Sequence, residues 1–272
     1  MRLGQILRML VPPIIPAVLG RMRPVEREYA GAAWPSRPLP SWDDSSSEKV
    51  MRRNWPLVEA RIAGKQDLTI LPDRANERDL TAHNMLMTFL YVLARASRGR
   101  DRLSVLDWGG MLGHYALVAR RMLPEVTFDY LVKEQPTNYR LGRELNPTVA
   151  FVDSDDECFA RRYDIVLASG SMHYVQDWRA MVARLAGSAE SWLVINALPV
   201  VYTVPGFVVV QRLWSLGYQS EFYSNVVNHD DVVAEVAKHG FVLERELMSW
   251  GPVHYRGAPE HPVGAGFLFR RR

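Results

Sequence analysis

From residue 103 to residue 269, short apolar runs alternate with stretches whose apolar residues recur at helical spacing. Ser104–Leu106 is short and β-prone and reads as a buried strand. Tyr115–Met122 follows with Leu117, Val118 and Met122 able to share one helix face. Thr127–Val132 reads as a second strand and Val149–Val152 as a third. Tyr163–Ala168 (YDIVLA) is almost continuously apolar, the mark of a strand covered on both faces, as in a parallel sheet. A helix over Trp178–Leu185 and a fifth strand over Trp192–Asn196 follow. A helix over His229–Gly240 comes next, with Asp230 and Asp231 near its start, where the helix dipole favours acids. Phe241–Met248 and Gly264–Phe269 then form a closing antiparallel pair, with His254, Tyr255 and Arg256 in the loop between them. This order predicts an α/β fold: a mostly parallel twisted sheet with helices on both faces and an antiparallel C-terminal strand.

The flanking pattern differs. Residues 1–22 are apolar with Arg2, Arg8 and Arg21 and no acid, but Pro12, Pro13 and Pro16 interrupt the run. It is a poor secretory signal and too broken to span a bilayer. Two readings stay open: a segment lying on an anionic membrane surface, or a helix packed on the domain or a partner chain. Residues 23–48 are rich in Pro, Ser and Trp and read as a wrapping arm or linker. Residues 47–63 read as a helix broken near Pro56, and residues 74–98 as one or two helices covering the sheet, with His83 and Asn84 in structural roles. The expected organisation is an N-terminal extension over 1–73 and the α/β domain over 74–272. Residues 197–228 then form an aromatic insertion that builds an acceptor pocket or lid, or else a dimer face.

Composition changes this picture little. The 272 residues are 48% hydrophobic, enough for one elaborated α/β domain. A net charge of +3 without a dense basic stripe gives no case for nucleic acid. The single Cys158 excludes an intrachain disulfide and a cysteine zinc site, in keeping with a reducing, cytoplasmic setting. No metal cluster is expected: Asp153, Asp155 and Asp156 lack the glycine and distal glutamate of a calcium loop.

The chemistry-bearing stretch is LSVLDWGGMLGHY, residues 103–115. Asp107 ends the first strand, and Gly109, Gly110 and Gly113 make the turn before the helix. Glycine serves there because the turn needs unusual backbone angles and a ligand must approach the main chain. A dinucleotide fingerprint would put its first glycine at Trp108, and an acid before the turn would repel a pyrophosphate. S-adenosylmethionine has no phosphate and carries a sulfonium and an ammonium, which suit Asp107. Glu134 stands 27 residues further on, at the end of the second strand, where its two oxygens can accept both ribose hydroxyls. Asp153 and Ser154, after the third strand, are candidates for the adenine amino group. Ser169, Ser171, His173 and Tyr174 follow the fourth strand at the carboxyl edge of the sheet, where ligands bind in open α/β folds. Tyr115 and Tyr174 are candidate aromatic faces for the sulfonium. His173 is the candidate general base because imidazole titrates near neutrality, with His229 and His254 behind it.

Asp107-x-Gly109 with Gly113 resembles the first motif of class I methyltransferases, with Met111 where the broad pattern has glycine. Taken with Glu134-Gln135-Pro136 and Ser169-Gly170 followed by Tyr174, it resembles a family of methyltransferases found among bacterial polysaccharide and cell-surface glycan biosynthesis genes. That family shows D-x-G-G-x-L-G, EQP and SG-x-x-x-Y in these places, which matches here over residues 75–250. The resemblance implies a Rossmann-like class I methyltransferase fold and S-adenosylmethionine as cofactor, held by Asp107, Gly109, Gly110, Gly113, Tyr115, Glu134, Gln135, Asp153, Ser154 and Ser169, with His173 and Tyr174 catalytic. The expected reaction is O-methylation of a glycan or glycan precursor. Open alternatives are methylation of a small secondary metabolite, which the aromatic insertion suits equally well, and a non-catalytic scaffold. The partners expected are a small-molecule or glycan acceptor, a second copy in a homodimer, and a membrane surface through residues 1–22.

Overall fold

The computed structural model describes residues 25–39, 45–69, 71–74 and 79–272. The expectation for residues 1–22 lies outside the described residues. Strand β1 (Arg27–Gly31) comes first, then helices α1 (Ser45–Ala63) and α2 (Leu80–Ala96). The periodic region follows as β2 (Arg102–Trp108), α3 (His114–Met122), β3 (Thr127–Lys133), α4 (Pro136–Leu145), β4 (Ala150–Val152), the short α5 (Asp155–Cys158) and β5 (Tyr163–Ser169). A 3-10 turn at Met172–Tyr174 leads to α6 (Trp178–Ser188) and β6 (Ala189–Val201). The chain ends with β7 (Phe207–Arg212), β8 (Glu221–Asn228), α7 (His229–Ala237), β9 (Phe241–Trp250) and β10 (Val263–Arg271).

The main sheet runs β4-β3-β2-β5-β6-β10-β9, parallel from β4 to β6, with β10 antiparallel to both of its neighbours. The strands between the edges are apolar almost throughout because α2 and α3 cover one face and α6 and α7 the other. Local chemistry sets the helix starts. Asp79 caps α2 by accepting from the Thr81 and Ala82 backbone N–H groups at 2.9 and 3.2 Å. Pro136 opens α4, where its missing N–H has no helical partner to lose. Asn228 caps α7 through Asp230 and Asp231.

Four expectations are corrected. Helix α1 does not break at Pro56 but continues through it. The fifth strand is longer than Trp192–Asn196. β5 accompanies it only as far as Ser169↔Asn196, and beyond that point β8 takes over the same edge at Val200↔Val227. The stretch 197–228 is therefore not loose: β7 and β8 form an antiparallel ribbon. The arm over 23–48 is also more than a linker, because β1 pairs antiparallel with β7 from Arg27↔Gln211 to Gly31↔Val208. Extension and insertion thus build a small antiparallel sheet, β1-β7-β8, continuous with the main sheet through the pairing of β8 with the end of β6. Among the described residues no helix is long and apolar enough to cross a membrane.

Candidate active site

The turn after β2 is built from left-handed backbone. Gly109, Met111 and Gly113 have φ of 76°, 53° and 71°. Two of these positions are glycine, as the conformation favours, and Met111 is not. The Met111 N–H donates to Glu134 Oε1 at 2.8 Å, which anchors the strained residue to the end of β3. Asn146 holds the turn from behind, donating to the Leu112 and Gly113 carbonyls at 2.9 and 3.3 Å. Gly110 lies on the Asp107 carboxyl, and a Cβ there would come within 2.5 Å of Asp107 Cγ.

Asp107 is wholly buried. Its Oδ2 accepts from the Tyr130 hydroxyl at 2.9 Å, and its Oδ1 has no hydrogen-bond partner among the described residues. Burial, reinforced by the Glu134 charge, pushes its carboxyl up to about 7 against the lowering effect of Tyr130. Glu134 is also raised by burial, and its bonds to backbone N–H groups oppose the rise. Its Oε2 accepts from the Gln135 N–H at 2.7 Å and from Asn138 Nδ2 at 3.3 Å. Oε1 keeps a lone pair for a further donor, whereas Oε2 already accepts two.

Two cavities meet at this edge. The first, about 240 Å³, is walled by Trp108, Gly109, Lys133, Glu134, Gln135 and Asp155. Asp155 accepts from the Trp108 indole at 2.9 Å and pairs with Lys133 at 3.1 Å, so one wall of this cavity is a flat indole flanked by a partly buried ion pair. The second, about 210 Å³, lies under the small sheet. Its polar wall includes Arg27, Asp73, His173, Gln211 and Tyr255, and its apolar wall includes Met85, Leu213, Leu216 and Trp250. Met111, Gly170 and Tyr174 border both cavities. The Tyr174 ring lies 4.0 Å from that of His173, and its hydroxyl donates to Gln211 Oε1 at 3.0 Å.

The structure gathers most of the expected residues and redistributes the rest. Gly109, Glu134 and Gln135 line the first cavity, Ser169 and His173 the second, and Tyr174 both. Asp107, Gly110 and Gly113 shape the turn without facing either space. Tyr115 lines neither cavity. Its ring packs in the core against Phe89 and His114, and its hydroxyl meets Ser169 Oγ at 2.9 Å, because that face of α3 points into the sheet. Asp153 and Ser154 are exposed and outside the wall. Ser154 caps α5, which turns the next residue, Asp155, inward. His173 does not titrate near neutrality. Desolvation holds its imidazole down to about 3, and its Nδ1 has no hydrogen-bond partner among the described residues. His229 and His254 line neither cavity: His229 bonds Asp230 and Glu246, and His254 bonds His261. Met111, which stands in the motif where the broad pattern has glycine, borders both cavities, while Lys133, Arg27 and the Asp73–Arg74 pair of the second wall are not signalled as site residues in the sequence, except that Lys133 adjoins Glu134.

No protein-family model matches the chain, and no curated protein matches it. Solved structures do. Magnesium protoporphyrin IX methyltransferase from Synechocystis PCC 6803, with bound S-adenosylmethionine, aligns at a TM-score of 0.51 and 13% identity, over 85% of this chain and 99% of that one. The same enzyme with bound S-adenosylhomocysteine gives 0.50 and 14%, over 83% and 100%. A protein from Galdieria sulphuraria, provisionally assigned as a sarcosine dimethylglycine methyltransferase, gives 0.51 and 12%, over 80% and 98%. At these identities the likeness establishes the fold: a Rossmann-like class I methyltransferase sheet with added antiparallel strands.

Proposed function

We propose that this protein is an S-adenosylmethionine-dependent methyltransferase whose acceptor is a small molecule seated in the second cavity. The observation that carries the reading is the junction of two cavities at Met111, Gly170 and Tyr174, one beside the glycine turn and one under the added sheet. Methyl transfer needs this plan: a cofactor space and an acceptor space that share one short border, so that the reacting atoms line up.

The residues of the first cavity fit the cofactor. Glu134 offers the open lone pair of Oε1 to a ribose hydroxyl, and Trp108 offers a flat face to a purine. Asp107, buried beneath the turn with one oxygen unpaired, favours a cation by charge acting through the turn rather than by contact. When bound, S-adenosylmethionine supplies a methyl group activated by its sulfonium. The chain's own contribution is alignment and exclusion of water. Tyr174, fixed by Gln211, forms the partition. His173 beside it is neutral at physiological pH and accepts a hydrogen bond far better than it takes a proton. That favours an acceptor whose nucleophile needs no strong base, such as an oxygen already ionised in solution. The apolar wall formed by Met85, Leu213, Leu216 and Trp250 favours an acceptor with a planar or apolar face over a bare sugar, so the small-metabolite reading is preferred to the glycan reading.

The test is calorimetric titration of the full chain with S-adenosylmethionine and S-adenosylhomocysteine, with Asp107→Ala as control and NAD as competitor. Micromolar binding that Asp107→Ala abolishes and NAD does not displace is expected. No binding, or displacement by NAD, rejects the reading.

A further inference from the structure

The wall of the second cavity carries a cation with no acid to match it. Arg27 stands opposite Gln211 where β1 pairs with β7, and both side chains line the cavity. Among the described residues no carboxylate lies within ion-pair distance of Arg27. The nearby acids are engaged elsewhere: Glu28 with Arg212 and Arg256, and Glu26 with Ser215. Asp73, the acid in the same wall, has its Oδ2 in the fork of Arg74, at 3.2 Å from Nε and 3.1 Å from an Nη. Arg74 is matched by Asp73 and, at 4.0 Å, by Asp79, so Arg27 is the cation of this wall left without a carboxylate partner among the described residues.

The hydrogen-bond order around Arg27 points the same way. The Tyr174 hydroxyl donates to Gln211 Oε1, which turns Gln211 Nε2 to donate to the Tyr255 hydroxyl at 3.1 Å. The Arg27 charge acts on that hydroxyl and favours its ionised form. Tyr255 is buried, and its oxygen accepts from Gln211. Its own proton has no partner among the described residues, so a guanidinium and a hydroxyl donor are left together in one wall, facing the apolar surface of Leu213, Leu216 and Trp250.

We propose that the second cavity recognises an organic carboxylic acid with an apolar body, its carboxylate held by Arg27 and the Tyr255 hydroxyl. The assignment rests on the methyltransferase reading only in calling this molecule the acceptor; the binding site stands on its own geometry. One guanidinium and one hydroxyl match a planar carboxylate better than a phosphate, which would leave oxygens without donors.

The test uses a pair of probes of equal shape, benzoate and benzamide, titrated into the full chain and into Arg27→Gln, Arg27→Lys and Tyr255→Phe. Wild type is expected to bind benzoate at least about tenfold more tightly than benzamide. Arg27→Gln removes the preference, Arg27→Lys keeps part of it, and Tyr255→Phe weakens benzoate by about threefold. S-adenosylhomocysteine affinity, measured on each variant, stays at the wild-type value for Arg27→Gln, because Arg27 borders only the second cavity, and far-UV circular dichroism verifies that each variant is folded. Equal binding of the two probes, no binding of benzoate at millimolar concentration, or a preference that survives Arg27→Gln overturns the proposal. Loss of S-adenosylhomocysteine binding in wild type, with the carboxylate preference intact, would reject the methyltransferase reading and leave the anion site standing.

Discussion

The backbone N–H of Met111 donates to Glu134 Oε1 at 2.8 Å, joining the turn after one strand to the end of the next. The same carboxylate accepts from Gln135 N–H and Asn138 Nδ2 on its other oxygen. Glu134 therefore holds both the strained turn and the start of α4 in place before any ligand arrives. Glu134→Ala removes the acceptor of three donors. Its S-adenosylhomocysteine affinity is expected to fall by about 2 kcal/mol, roughly 30-fold, with a lower melting temperature. Calorimetry and thermal unfolding on one preparation check both, and unchanged affinity would remove Glu134 from the cofactor site.

Gly110→Ala tests the packing of the turn on Asp107. The new Cβ meets the carboxyl carbon at 2.5 Å, and a buried side chain in contact with Tyr130 has no room to retreat. The variant is expected to lose roughly 1–3 kcal/mol of stability, the usual cost of overpacking, and to bind the cofactor weakly if at all. Denaturant unfolding gives the first quantity and calorimetry the second.

Asp107 makes stability and binding respond to pH in opposite directions. Its native carboxyl sits at about 7, above its unfolded value, so between about pH 4 and about pH 7 the native state keeps a proton that the unfolded chain has lost. Stability from this group is full below that window and declines as pH rises through it. Asp107→Asn should match wild type in stability near about pH 4 and exceed it above about pH 7 by roughly 1–3 kcal/mol. A cationic ligand needs the ionised form, so wild-type affinity for S-adenosylmethionine rises across the same window and that of Asp107→Asn stays low and flat. Melting curves and titrations across the range decide it.

His114 acts at the acid end. It stacks on Tyr115 in the core, neither ring nitrogen has a hydrogen-bond partner among the described residues, and burial holds it down to about 4. Below its unfolded value of 6.5 the unfolded chain takes up a proton that the native state refuses, so stability falls as pH drops. His114→Phe removes this loss and should gain about 2 kcal/mol over wild type near about pH 5, relative to the difference near about pH 8. Equal acid sensitivity in variant and wild type would refute it.

The central sheet was legible because its signals are local. Asp107, the glycines and YDIVLA each mark their element within a few residues. Glu134 and Tyr174 line the cavities because strand ends fix where a side chain emerges. What escaped depends on distant contacts. REYAG in β1 has no pattern of its own, and becomes a strand only because β7 presents an open edge. Asp155 rather than Asp153 faces the cavity because Ser154 turns the chain into α5. Tyr115 and His173 were read from residue type, and burial, which residue type does not report, gave them other properties.

The pairing of β1 with β7 also orders events in time. Glu28 and Arg212, bonded across it, are 184 residues apart in the chain. Strands β2 to β5 meet near neighbours and can assemble while the chain is still being synthesised, whereas β1 leaves the ribosome first and waits for one of the last strands. A nascent chain stopped before Phe207 carries the wall of the first cavity but lacks Gln211, Leu213, Leu216, Trp250 and Tyr255 of the second. The second cavity is the latest part of the molecule to close, and its loop-closure cost makes it the part most sensitive to any change that slows folding.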